Sequence, residues 1–327
     1  MTLWKTLGHK IYAKEGTNLS IERLHNIFVT LSGCNAWSLQ LLRIKTSKRI
    51  NTSYIGREIT FTPAGKLNEF VSAISHRYTK ADKGVLKSFL SVTDYDGSTI
   101  DKTVYKLNAA NELIKSEYEA LITAIAEPDA EINPLEFKAC AYLLKGVIVI
   151  DEEQHPIKLV SMQNPITTLN HKFWMRNGEF QEISDKVLSL RPTIDVVIID
   201  DCIYMLTLAG ENLFNMERSY KAICNTKVDA IGECAIVTDF ESFKAVAGSG
   251  HNPRKFVSFN DSHLQKLKNI SNRKKMAHKF SIPLSGDKFD TTQPGTTDKL
   301  VKLLCDRGML DPFDDKPMEV AGSKKWV

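Results

Sequence analysis

The sequence predicts an α+β protein built from two domains. Its 327 residues, 43% of them apolar and 25% charged, are enough chain for two cores and exclude wholesale disorder. Between residues 137 and 208, short apolar runs follow one another with no helical spacing among them. After Gly210 the apolar spacing becomes helical and stays so nearly to the end.

Taken in order, Met1–Lys14 lacks the apolar run of a signal peptide or anchor. The stretch up to about residue 105 reads as irregular and strand-rich, with candidate strands Leu39–Lys45, Glu58–Thr62 and Leu86–Val92. Leu107–Ala126 reads as a helix, because Leu107, Ala110, Ile114, Tyr118, Leu121 and Ile125 recur every three or four residues. Pro128 stops it. The acidic segment Glu127–Pro134 carries two prolines and no periodicity, so it is taken as the boundary. This gives a strand-rich α/β domain over 1–130, and an antiparallel sheet packed with helices over 131–327.

In the second domain the candidate strands are Phe137–Ile150, Ile157–Ser161, His171–Arg176, Lys186–Leu190, Ile194–Ile199 and Cys202–Leu208. Only Asp200–Asp201 separates the last two, which predicts a tight hairpin. Consecutive strands without crossover helices favour an antiparallel meander. Helices follow at Leu213–Gly232, Phe240–Ala247, Ser262–Phe280 and Thr297–Asp306. A short strand, Met318–Val320, is expected to pair near Lys324–Val327. The most apolar stretch, Ala139–Ile150, is too short to span a bilayer and contains Lys145. The six cysteines form no C-x-x-C pair and read as reduced thiols of a cytosolic protein.

Charge is unevenly distributed. The formal net charge of +4 is mild, yet residues 251–279 hold Arg254, Lys255, Lys266, Lys268, Arg273, Lys274, Lys275 and Lys279 against the single acid Asp261. His251, His263 and His278 fall in the same segment. Such asymmetry is what a phosphate-binding surface requires. Read as one helix, the segment turns Leu264, Leu267 and Ile270 inward. Lys266 with Arg273, and Lys268 with Lys275, then form two basic rows flanking Gln265, Asn269 and Asn272. Lysine outnumbers arginine, which favours sequence-tolerant backbone contact over bidentate base reading. The plainer reading is a solvated helix whose lysines keep the protein in solution. A weaker basic stretch, Arg43, Lys45, Lys48, Arg49 and Arg57, could widen the same surface.

No complete catalytic or cofactor motif is present. G-x-x-x-x-G-K-[ST], H-E-x-x-H and G-x-S-x-G are all missing. Gly248–Ser249–Gly250 reads as a plain loop, and Asp200–Asp201, Asp287 and Asp290 as turn residues rather than metal ligands. Asp129 with Glu136 and Lys138 imitates the acid and Glu-x-Lys of metal-dependent nucleases. Its acid, however, sits in a proline-bounded linker with little room for a strand pair.

The second half also resembles a known family. The paired strands Ile194–Leu208, the Asn212–Leu213–Phe214 lead into a helix with Tyr220, the basic helix and the tail Met318–Val327 resemble the B subunit of the Kiwa anti-phage defence system. The resemblance covers about 140–327. It departs from the expected pattern at Asn215, where an acid would follow the Phe. What it implies is a cytosolic, homodimeric DNA-binding effector recruited to the inner face of the membrane. Its partner would be a small multi-spanning subunit that senses phage attachment, and the complex would impede phage replication and transcription. The expected function is therefore sequence-tolerant DNA binding through the eight basic residues of 251–279, without catalysis, cofactor or metal. The alternatives are a metal-dependent nuclease using Asp129, Glu136 and Lys138, and a scaffold that meets anionic membrane or an acidic partner.

Overall fold

The computed structural model describes residues 21–34, 36–47, 51–63, 65–97, 100–129, 137–163, 172–176, 178–183, 190–259, 261–305, 308–310 and 317–319. The chain forms two compact units. One comprises Met1–Asp94 with Lys102–Asn215, the other Tyr95–Asp101 with Met216–Val327. The expected α+β class holds, but the units part at residues 215 and 216 rather than at 130.

In the first unit, helix α1 (21–30) and a 3-10 turn (Leu31–Gly33) lead into β1 (Ser38–Ser47) and β2 (Asn51–Ile59). Next come α2 (Gly65–Thr79), β3 (Ser91–Asp94), β4 (Thr103–Asn108) and α3 (Lys115–Ala126). A long hairpin, β5 (Ala141–Ile150) and β6 (Glu153–Met162), is followed by a small separate one, β7 (Lys172–Arg176) and β8 (Glu179–Ile183). The hairpin β9 (Val196–Ile199) and β10 (Cys202–Met205) and the short α4 (Ala209–Leu213) complete the unit. Eight strands make one sheet in the order β2-β1-β5-β6-β9-β10-β4-β3. All its pairings are antiparallel except β3 with β4. The sheet runs across the segment read from sequence as a boundary, because β1 pairs with β5 (Leu39 opposite Leu144).

Strand alternation assigns the two faces. Leu39 and Leu41 share one buried cluster with Leu24, Ile27, Phe28 and Leu31 of the N-terminal helical turns and Leu67, Val71, Ile74 and Tyr78 of α2. Gln40 points to the other face, where its Nε2 donates to Ile125 O of α3 at 3.1 Å. Tyr54 on β2 donates to Leu213 O of α4 at 2.6 Å. Neither α1 nor α2 was expected from sequence, although both carry the three-and-four spacing just named. The expected helix from Leu107 begins only at Lys115. Before it, β4 occupies Thr103–Asn108, and the side chains of Asn108 and Asn111 accept from Ala110 N and Leu113 N to turn the chain. The strand expected at Leu86–Val92 is in part a 3-10 turn, Val85–Ser88, ahead of β3.

Burial in this unit sets an alkaline limit on its stability. Desolvation lifts the Tyr78 phenol from 10.0 to about 12, and lifts Tyr54 and Tyr142 further still. Each folded value exceeds the unfolded one, so the stabilisation is complete below pH 10 and is lost as pH rises through the folded values. An absorbance titration at 295 nm is expected to show these phenols silent at pH 10–11, ionising only as the unit unfolds. Ionisation at pH 10–11, before any loss of secondary structure, would contradict the burial.

The second unit is helical. It contains α5 (Met216–Glu233), α6 (Phe240–Ala247), α7 (Asn252–Lys255), a 3-10 turn (Phe256–Ser258), α8 (Asp261–Lys268), α9 (Ile270–Phe280) and α10 (Thr296–Leu304). Two short hairpins accompany them: β11 (Leu284–Ser285) with β12 (Lys288–Phe289), and β13 (Gly308–Leu310) with β14 (Pro317–Glu319). The strand expected at Met318–Val320 thus pairs with Gly308–Leu310, and residues 324–327 lie outside the described ones. Cys224, Val228, Phe243, Phe256, Leu267, Ala277, Phe289 and Leu300 meet in one core. Among the described residues no helix is long and apolar enough to cross a membrane.

Candidate nucleic-acid interface

The single helix expected over Ser262–Phe280 is two, α8 and α9. Asn269 adopts extended torsions (φ −78°, ψ 117°), and its side-chain oxygen accepts from Ser271 N at 2.9 Å and Asn272 N at 3.3 Å. It is therefore the N-cap of α9, the role for which a short amide side chain is suited. The amide row expected from Gln265, Asn269 and Asn272 does not form, since Asn272 Nδ2 donates back to Lys266 O at 3.3 Å. Ile270, expected inward, is 44% exposed.

The break also decides the fate of Arg273. Its side chain is only 7% exposed. Nη1 donates to Leu267 O at 2.6 Å and Lys268 O at 2.9 Å, and Nε donates to Asp287 O at 2.9 Å. The guanidinium closes the C-terminal carbonyls of α8, where a cation also complements the helix dipole. Arg273 is therefore a clamp inside the fold and not part of the outward surface proposed for it from sequence.

The remaining cations divide by exposure. Lys266, Lys268, Lys274, Lys275 and Lys279 are exposed. Arg254 and Lys255 are half-buried at the end of α7, and each is engaged within the protein. At about 100° per residue, Lys274, His278, Ser271, Lys275 and Lys279 follow one another around half of α9. With Ile270 they line an open concavity. Arg273, Met276, Ala277 and Phe280 take the opposite half, of which Ala277 is buried in the core. Lys274 lies 3.4 Å from Asp287, a surface pair with both partners more than half exposed, which solvent leaves weak. In the other unit, Arg43 is half-buried, Lys45 is exposed, and Arg57 Nη1 donates to Asp129 O at 2.9 Å. Lys48 and Arg49 lie outside the described residues.

Compared with known protein families, the chain matches Kiwa protein KwaB-like over residues 143–310, just over half its length. The chain belongs to the KwaB-like family. Membership gives it a role in Kiwa anti-phage defence alongside partner subunits of that system. The KwaB-like match takes in the β5–β6 hairpin from Leu143 onward, the β9–β10 hairpin and all of α5 to α10. No curated protein and no solved structure matches the chain.

Asp129 follows α3, and its N–H donates to Gly56 O at 2.8 Å. Lys138 is exposed with φ +47°, and Glu136 lies outside the described residues. Asp200 (φ +52°) forms the β9–β10 turn with Asp201, as expected, and its carboxylate meets His155 Nδ1 at 3.1 Å. Asp290 accepts from Thr292, Gln293 and Thr238, and the Thr292 hydrogen bond leads in lowering its pKa. Among the described residues no three His, Cys, Asp or Glu side chains could hold a metal ion. The six cysteines are free thiols.

Proposed function

We propose that the chain is the DNA-binding effector of its Kiwa system, gripping the phosphate backbone with the exposed arc of α9. It acts as a homodimer, recruited to the inner face of the membrane by a multi-spanning subunit. There it holds phage DNA and impedes replication and transcription without cutting. The observation that carries this reading is the run of Lys274, Lys275 and Lys279 with Ser271 and His278 around one solvent face of α9, with Lys266 and Lys268 also exposed on α8. Over the roughly 12 Å from Ser271 to Lys279, lysines of this reach can neutralise two or three successive phosphates. Lysine contacts are point charges without base information, so the binding tolerates sequence.

Gel shifts with purified protein test this. Affinity for duplex DNA is expected to fall steeply between 50 and 200 mM salt, with a log–log slope of about −3 to −5 if three to five of these cations engage phosphate. Plasmid held with Mg²⁺ or Mn²⁺ stays intact. Cleavage would favour the nuclease alternative, and tighter binding to anionic vesicles than to DNA at matched ionic strength would favour the scaffold.

A further inference from the structure

Among the described residues, the β5–β6 hairpin ends in an open strand edge. Asp151 and Glu152 both have positive φ (50° and 68°), which closes a two-residue turn of the primed type between Ile150 and Glu153. The closing pair exchanges both hydrogen bonds, so Ile150, Ile148 and Gly146 bond to β6 while Val149, Val147 and Lys145 direct N–H and C=O to the opposite edge. There β1 covers Ala141 to Lys145 and ends at Ser38. No described strand pairs with Gly146–Ile150 on that side.

The same two valines are bare on the sheet face. Val147 is 46% and Val149 53% exposed, opposite exposed Pro156 and Gln154. The other face is filled: Ile148 is buried, and the Trp37 ring lies where a side chain on Gly146 would stand, 2.7 Å from its Cβ position. An exposed apolar edge invites pairing with another chain, and folds normally blunt it with proline or charge. This hairpin does so on its far side. Pro156 removes an N–H from the β6 edge beyond the end of β9, where Asp200 also folds over to His155. Gly146–Ile150 carries no such guard.

We propose that Gly146–Ile150 is a docking edge for an extended segment of a partner protein, which adds a strand to the sheet beside β5. The occupant has apolar side chains at alternate positions, over Val147 and Val149, and a lysine or arginine at the end lying on the turn. Charge selects that end: Asp151, Glu152 and Glu153 are exposed there, and Glu22, Asp151 and Glu153 line an adjoining concavity with Arg23 and His155. Main-chain hydrogen bonds supply affinity, and the valine row with the acidic tip supplies selectivity. The site is independent of DNA binding.

A fluorescein-labelled Arg-Lys-Val-Thr-Val-Thr-Val peptide, its Glu-Glu-Val-Thr-Val-Thr-Val counterpart and the full chain make the test. Anisotropy is expected to show the basic peptide binding at least about tenfold more tightly than the acidic one. Hydrogen exchange is expected to show the Val147 and Val149 amides fast in the free protein and slowed at saturation. Val149→Pro deletes an N–H that points to the edge and none that bonds β6, and Val147→Lys with Val149→Lys keeps the backbone donors. Both are expected to weaken the basic peptide at least about tenfold while leaving DNA gel shifts unchanged. Absent binding, or binding that ignores both variants, overturns the proposal. Val147 and Val149 amides already protected in the free protein, with light scattering showing a dimer that Val149→Pro dissociates, would assign the edge to a second copy and equally overturn it.

Discussion

Replacing Lys274, Lys275 and Lys279 together by glutamate is expected to weaken duplex DNA binding by at least about 100-fold at low salt and to flatten the salt slope by about three. All three are exposed, and among the described residues only Lys274 has a carboxylate beside it, so the folded state loses little when they change. Circular dichroism and thermal melts should therefore be nearly superimposable on those of the parent chain. Arg273→Ala, a few ångströms along the same helix, is expected to do the reverse. It strands three carbonyl contacts, the buried one at Leu267 and the part-buried ones at Lys268 and Asp287, at a cost of about 3 kcal/mol. Whatever fraction remains folded should bind DNA with an unchanged salt slope. Arg273→Lys cannot restore three donors in that fork, so it should recover only part of the loss. If Arg273→Ala lowers the slope while the melt stays put, the guanidinium reaches phosphate and the division between clamp and contact is wrong. A triple-glutamate variant with parental affinity would remove α9 from the interface.

That division shows what a sequence can and cannot disclose. The concentration of cations between residues 251 and 279 is visible by counting, because charge is a property of residue type. Their exposure is not, because it depends on one residue. Asn269 continues the helical spacing on paper, yet its amide caps a new helix and turns Ile270 out and Arg273 in. An Asn between a lysine-rich turn and Ile-Ser is the available signal, and from sequence alone it fits a helix-surface amide equally well. In the fold, β5, β6, β9, β10, α5, α6 and α10 were legible because their patterns are local. The pairings of β1 with β5 and of β10 with β4 join residues about a hundred positions apart and leave no local mark. A proline-containing acidic segment therefore looked like a boundary although the sheet continues across it. The Leu24–Ile27–Phe28–Leu31 and Leu67–Val71–Ile74–Tyr78 spacings were in plain view. They were obscured by the β-branched and turn residues around them. The docking edge could not be anticipated at all, because an unpaired half-strand exists only once the length of its neighbour is known.

Tyr78→Ala is expected to destabilise the sheet unit by about 5 kcal/mol, the largest effect of any single substitution considered. Tyr78 comes from α2, and its ring stacks on Phe28 of α1 with centroids 4.3 Å apart and planes 8° from parallel. Its hydroxyl donates to Ile194 O and accepts from Ile194 N, both at 2.7 Å, so one phenol satisfies both backbone groups of the residue leading toward β9. Alanine removes the stack, opens a cavity between two helices and the sheet, and leaves a buried N–H and C=O without partners. Tyr78→Phe separates the contributions: it keeps the ring and loses only the hydroxyl, at a cost of about 2 kcal/mol. Urea titrations followed by far-ultraviolet circular dichroism give both values, and the difference between the variants measures the aromatic packing. Equal losses for alanine and phenylalanine would mean that the hydroxyl alone holds α2 to the strand. A phenylalanine variant as stable as the parent would mean that Ile194 finds other partners, and that packing of α1 and α2 against Leu39, Leu41 and Val197 already suffices to seat the helices on the sheet.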